Sequence, residues 1–385
     1  MKRISLIAIM ALMGIGSVAA KSSTTLPIVG EVVKATNPLI QYVGRVSFAK
    51  NETASFNFPG TSILARFQGS SLKMICRPMT GYFMAQVDGC EPFKVGFNAE
   101  RDSVVTVAAA LPKGEHQVKL MYVIEGLFRT PEFRGFVLDK GCSLVKSPDL
   151  PERKIEFIGN SITCGYGVES IEMTDPFEDE TENHWLTYAN IVSDSLNAQH
   201  TSISRSGIGV YRNYDGPKAG SDENMPWQYE YTLFNKHDEK WDFNKYQPQL
   251  VCINLGTNDL STNNYDIALY EKNYRMFLTT VRSKYPNAKI VLITGPMLGE
   301  KESGEQREVL DRICSDANKK GFTLPDEVRK ARKGKNKGDK DIYRFDFTFQ
   351  TGDLGYGASW HPSKLQHQKM AGELLPFLRN LMGWE

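Results

Sequence analysis

From about residue 40 to 147, apolar and polar positions alternate in short runs broken by turn residues. "SILARFQG", "LKMICRP", "YFMAQVDG", "FKVGFNA" and "HQVKLMYVIEG" are the clearest of these runs. A period of two argues for half-buried strands, and the close spacing leaves no room for a long helix. This half is predicted to be an all-β sandwich of the jelly-roll kind.

After "KSPDLPER" the rhythm changes. "KIEFIG", "HTSISRSG", "LVCINLG", "AKIVLITG" and "YRFDFTF" read as strands. "LVCINLG" is apolar enough for a strand buried on both faces. Helical spacing of apolar residues appears in "ENHWLTYANIVSDSLNA", "YDIALYEKNYRMFLTTVRSKY", "EQREVLDRICSDANKKG" and "PSKLQHQKMAGELLPFLRNLM". Alternating strands and helices predict a parallel sheet covered on both faces, a three-layer αβα domain. The expected division is a sandwich over 21–150 and an αβα domain over 151–385. An aromatic-rich insertion, residues 211–246, follows a strand end, where the walls of active sites are built. The basic stretch "EVRKARKGKNKGDK" reads as an exposed loop.

Composition narrows the function. Among 385 residues the charged fraction is 24% and the formal net charge +1, which gives no basis for a nucleic-acid partner. The N-terminus has the three parts of a signal peptide over residues 1–20: Lys2 and Arg3, an apolar run, then Val18-Ala19-Ala20. Cleavage after Ala20 predicts an exported protein, secreted or periplasmic, with no membrane partner afterwards. The six cysteines show no metal-type spacing; Cys76 and Cys90 could pair across neighbouring strands or stay free.

The chemistry lies at strand ends. "IEFIGNSITCGYG" ends a strand on Gly159 and presents Ser161 two residues later. A second strand runs into Ser206-Gly207-Ile208-Gly209, a third into "NLGTND" with Asn258, and "SWHP" places His361 before the last helix. Parallel strands put their C-terminal ends on one edge, so these four segments can converge. A serine hydroxyl needs a base to become a nucleophile, and His is the usual one. The oxyanion of acyl transfer needs donors, which the N–H groups of Ser161 and Gly207 and the Asn258 amide can supply.

The four segments, in this order, resemble the SGNH (GDSL-like) hydrolases. "FIGNSITCGYG", "INLGTND" and "WHPSKLQHQKMA" resemble carbohydrate esterase family 2 more closely. That resemblance implies an N-terminal β-sandwich joined to an SGNH domain, and removal of acetyl groups from plant polysaccharides. It implies Ser161 as nucleophile, His361 as base, and Ser161, Gly207 and Asn258 as the oxyanion hole. No cofactor and no metal are expected, and the expected state is a monomer. Two positions depart from the pattern: Asn160 stands where Asp is usual, and Ala358 stands three residues before His361, where many relatives carry Asp. A Ser–His dyad oriented by a backbone carbonyl is therefore expected, with Asp353 the alternative third member. Without an anion His361 should titrate near its ordinary value, about 6.5. Trp360, Trp227 and Tyr211 are the candidates for contact with a sugar. Competing functions are another SGNH activity, such as a lipase or thioesterase, and a carbohydrate-binding protein with an inactive hydrolase domain.

Overall fold

A computed structural model describes residues 28–50, 52–101, 103–262, 264–323 and 338–385. The expected signal peptide and most of the basic stretch lie outside these residues.

The N-terminal half is two antiparallel sheets. One runs in the order Glu31–Lys34, Glu132–Leu138, Leu72–Cys76, Val104–Ala108, with Ala54–Ser55 also paired to Glu132–Leu138. The other runs Leu144–Val145, Ser62–Gly69, Gly114–Tyr122, Gly81–Val87, Phe93–Phe97, with Gln41–Val43 also paired to Ser62–Gly69. Alternate residues of each strand enter a shared core of Phe56, Phe67, Met74, Phe83, Leu120 and Phe136. The sandwich expected from the period-two pattern is present. Cys76 is buried and Cys90 exposed, and all six cysteines are free thiols. The pairing of Cys76 with Cys90 is therefore not formed.

The C-terminal half is a five-stranded parallel sheet. Its order is Ala198–Ser204, Arg153–Gly159, Leu250–Asn254, Lys289–Thr294, Ile342–Asp346. Successive side chains of each strand point to opposite faces. Val251 and Ile253 join the core under the helices Ile267–Lys284 and Glu300–Lys320. Leu250 and Cys252 join the core under Tyr188–Ser195 and Lys364–Met382. The three-layer arrangement follows directly.

The aromatic insertion does not build a site wall along its length. It folds into the short helix Met225–Gln228 and the hairpin Tyr231–Leu233/Lys236–Lys240. These clasp the sandwich: Arg45 donates to the Tyr229 and Tyr231 carbonyls at 2.5 and 2.7 Å, and the Asn57 amide donates to Asn235 at 2.6 Å. Arg45 is buried among Phe58, Tyr229, Trp241 and Phe243, with its guanidinium over their rings. Most aromatics of the insertion thus serve the contact between the two domains.

Candidate active site

The first strand of the parallel sheet ends at Gly159, and a four-residue helix, Ser161–Cys164, starts at once. Asn160 caps it, its side-chain oxygen accepting the Ile162 N–H at 3.1 Å. An amide caps as well as a carboxylate here, so Asn in place of Asp keeps the turn. Gly159 is required by close approach, since a Cβ on it would lie 2.1 Å from Thr163 Oγ1.

His361 reaches this helix from the other end of the domain. The Ser161 hydroxyl donates to His361 Nε2 at 2.8 Å. His361 Nδ1 faces the carbonyl oxygens of Ala358 at 3.0 Å and Ser359 at 3.2 Å. Those carbonyls converge because Ser359 and Trp360 both adopt left-handed backbone, with φ of 50° and 59°. Such residues persist only where surroundings hold them, and they cluster at functional sites. Here the Gln350 amide donates to the Trp360 carbonyl at 2.8 Å, and the Gly357 N–H donates to the His361 carbonyl at 2.8 Å. Donation from Nδ1 to a carbonyl fixes the tautomer with the lone pair on Nε2, toward Ser161. Burial pushes His361 down to about 4, against the two carbonyls, which push it up. The expected ordinary value near 6.5 is thus corrected downward: removal from water disfavours the imidazolium more than the carbonyls favour it.

Two loops complete the edge. Gly207 follows the second strand of the chain order with φ of 74°, a left-handed conformation that glycine adopts without strain. A Cβ there would meet nothing nearer than Tyr214 Cβ at 4.0 Å. Asn258 opens out of the third strand, and its amide donates to the Ile208 carbonyl at 2.8 Å, tying the two loops together. Buried Asp259 accepts the N–H groups of Val210, Tyr211 and Arg212 at 2.8 to 3.1 Å. Burial pushes its carboxyl up to about 6, against those bonds. It is a loop anchor.

Comparisons with known proteins match both halves of the chain. A carbohydrate esterase 2 N-terminal model matches residues 42–148, and a GDSL-like lipase/acylhydrolase model matches residues 155–374. A solved family two carbohydrate esterase from Clostridium thermocellum, in complex with cellohexaose, is 34% identical with a TM-score of 0.79. It covers 90% of this chain and 100% of its own. The chain belongs to carbohydrate esterase family 2. It is a carboxylic ester hydrolase. The cellulase/esterase CelE of Acetivibrio thermocellus is 34% identical over 90% of this chain, which spans 40% of that relative's length. An acetylxylan esterase / glucomannan deacetylase of Cellvibrio japonicus is 27% identical over 91% of each.

The esterase does not bring all the candidate residues together. Asp353 accepts from the Thr351 hydroxyl at 2.9 Å and is not among the partners of His361. Position 358 offers no carboxylate: Ala358 is fully buried, its methyl group packed so close to Gly167 that a Cβ on Gly167 would lie 2.3 Å from it. Tyr211 is buried, with 1% of its surface exposed, and its hydroxyl accepts the Asp266 N–H at 2.9 Å. Its role as a sugar contact is corrected to that of a core residue. Trp227 packs on His237 and Tyr231 within the hairpin, with ring centroids 3.9 and 5.4 Å away. Trp360, beside the base, is 52% exposed, and Tyr214, beside Gly207, is 61% exposed. Tyr166 stacks on the His361 ring at 4.1 Å and on Phe177 at 4.5 Å, bracing the base from one side. Nothing in the sequence singled out Tyr166; its only signal was a place five residues after Ser161.

Proposed function

We propose that this esterase is exported and removes O-acetyl groups from plant polysaccharides by a Ser–His mechanism. The observation that carries the reading is the Ser161 Oγ to His361 Nε2 contact at 2.8 Å on the sheet edge shared with Gly207 and Asn258. Ser161 Oγ attacks the acetyl carbonyl carbon while His361 Nε2 takes its proton. The oxyanion is held by the N–H groups of Ser161 and Gly207 and by the second hydrogen of the Asn258 amide. The C–O bond to the sugar then breaks, and His361 returns the proton to the departing sugar hydroxyl. Water, deprotonated by His361, attacks the acetyl-enzyme; acetate leaves and Ser161 regains its proton. The exposed rings of Trp360, next to His361 in the chain, and of Tyr214, whose Cβ lies near Gly207, suit the apolar faces of sugar rings. The names of the Cellvibrio japonicus relatives support an acetylated xylan or glucomannan as substrate. The experiment is acetate release from acetylated xylan, acetylated glucomannan and simple acetyl esters, by the parent and by Ser161→Ala. The variant should fold normally and lose about six orders of magnitude in kcat, as a serine protease does. Retention of a tenth of the activity, or release from none of the carbohydrates, sinks the reading.

A further inference from the structure

We propose that Glu125, a residue of the sandwich domain, is a positioning residue for the hydrolysis, fixing the Gly207 N–H through the neighbouring Ser206. The proposal rests on the reading of Gly207 as an oxyanion donor.

Glu125 follows the central sandwich strand Gly114–Tyr122 and is 3% exposed. Its carboxyl oxygen Oε2 accepts the Ser206 N–H at 2.6 Å. The same oxygen lies 3.8 Å from the thiol of Cys164, which ends the short helix begun by Ser161. One carboxyl thus touches both the nucleophile helix and the loop that presents Gly207. Its own backbone is held in turn: the Glu125 N–H donates to Glu182 Oε2 at 2.9 Å, and Glu182 is fully buried. The chain of contacts runs from Glu182 through Glu125 to Ser206, and the next peptide carries the Gly207 N–H.

Two buried acids and a thiol lie close together here, a setting that disfavours a full charge on each acid. Burial pushes both carboxyls up; the charge of Glu125 adds to this at Glu182, whereas at Glu125 the bonds from Ser206 and then Arg205 act against it. The neutral form is thereby favoured, and a neutral carboxyl still offers an acceptor oxygen. What positions Ser206 is then the reach of that oxygen, not its charge. A donor displaced by about 1 Å costs on the order of 10²-fold in rate.

The test compares Glu125→Gln, Glu125→Asp and Glu125→Ala in the full chain, on a soluble acetyl ester, with Asn258→Ala alongside. Gln keeps an acceptor oxygen at the same distance, whereas Asp keeps the acid but falls short by about one methylene, roughly 1.5 Å. Glu125→Gln should stay within about three-fold of the parent kcat. Asp and Ala should lose about ten- to a hundred-fold in kcat with KM within two-fold. Should Glu125→Ala fail to fold, the Gln and Asp pair decides alone. The inference is overturned if Asp matches the parent, or if Gln falls as far as Asp. If Asn258→Ala leaves kcat intact, the oxyanion-hole reading has failed instead, whatever the Glu125 variants do.

Discussion

The carbonyl oxygen of Ala358 lies 3.0 Å from Nδ1 of His361, in the place where a triad would put a carboxylate. The carbonyl of Ser359 shares the same nitrogen at 3.2 Å. Carbonyls orient the ring and hold its tautomer but bring no full charge to stabilise the imidazolium. Asp353 is engaged with Thr351 instead. Asp353→Asn should therefore stay within a few-fold of the parent in kcat. Loss of a true triad aspartate costs about 10⁴, so steady-state kinetics separates the two outcomes cleanly.

The pH profile reads the same environment. The base must be neutral to accept the Ser161 proton, so activity is lost as pH falls through the His361 value. Burial holds that value near 4. The acid limb of kcat/KM should have its midpoint near pH 4, with little loss between pH 7 and about 5. A midpoint near the ordinary 6.5 would mean that water reaches the ring freely in the free enzyme.

Asn258 bridges two loops, donating to the Ile208 carbonyl at 2.8 Å. Its remaining amide hydrogen has the oxyanion as its proposed acceptor. Asn258→Ala should lower kcat by about 10²–10³ while KM moves little. Asp259 still anchors residues 210–212 in that variant, so gross collapse of the loop is not expected. A change mainly in KM would assign Asn258 to ground-state binding.

What could be read in advance follows from how local each signal is. Leu250–Asn254 was legible because a strand buried on both faces must be apolar throughout. Ser161 and His361 were legible because each sits in a short stretch of distinctive neighbours. The helix expected from residue 182 begins only at Tyr188: Asn183 and Thr187 cap two successive elements, and the His184 N–H is taken by Val123 of the sandwich. The strand Glu31–Lys34 left no pattern, since its residues are largely exposed and only pairing with Glu132–Leu138 defines it. Aromatic content marked residues 211–246 but could not tell a ligand face from a domain contact; Tyr211 and Trp241 went to the interior and Tyr214 to the surface. Glu125 was invisible as an acid after an apolar run, because its partner Ser206 lies 81 positions away.

The last prediction concerns acid stability. His184 Nδ1 donates to the Thr163 carbonyl at 2.8 Å, so its Nε2 must accept from His200 Nε2, 3.0 Å away. Both rings are buried beside the helix that carries Ser161, and this bond requires His184 to be neutral. Burial lowers His184 to about 4; burial and then the neighbouring His184 push His200 well down. In the unfolded chain each binds a proton near pH 6.5. The unfolded state therefore holds more protons below that pH, so the stability these rings contribute is complete above about 6.5 and is lost as pH falls toward 4. Glu125 and Glu182, with raised values, act in the opposite sense, so a difference between variants is the proper readout. His200→Gln keeps an N–H donor for His184 and removes one titrating ring. Its Tm, followed by calorimetry from pH 7.5 to 4.5, should fall less steeply than that of the parent. Parallel Tm curves would show that His200 titrates in the folded protein as it does in the unfolded chain, and would overturn the prediction.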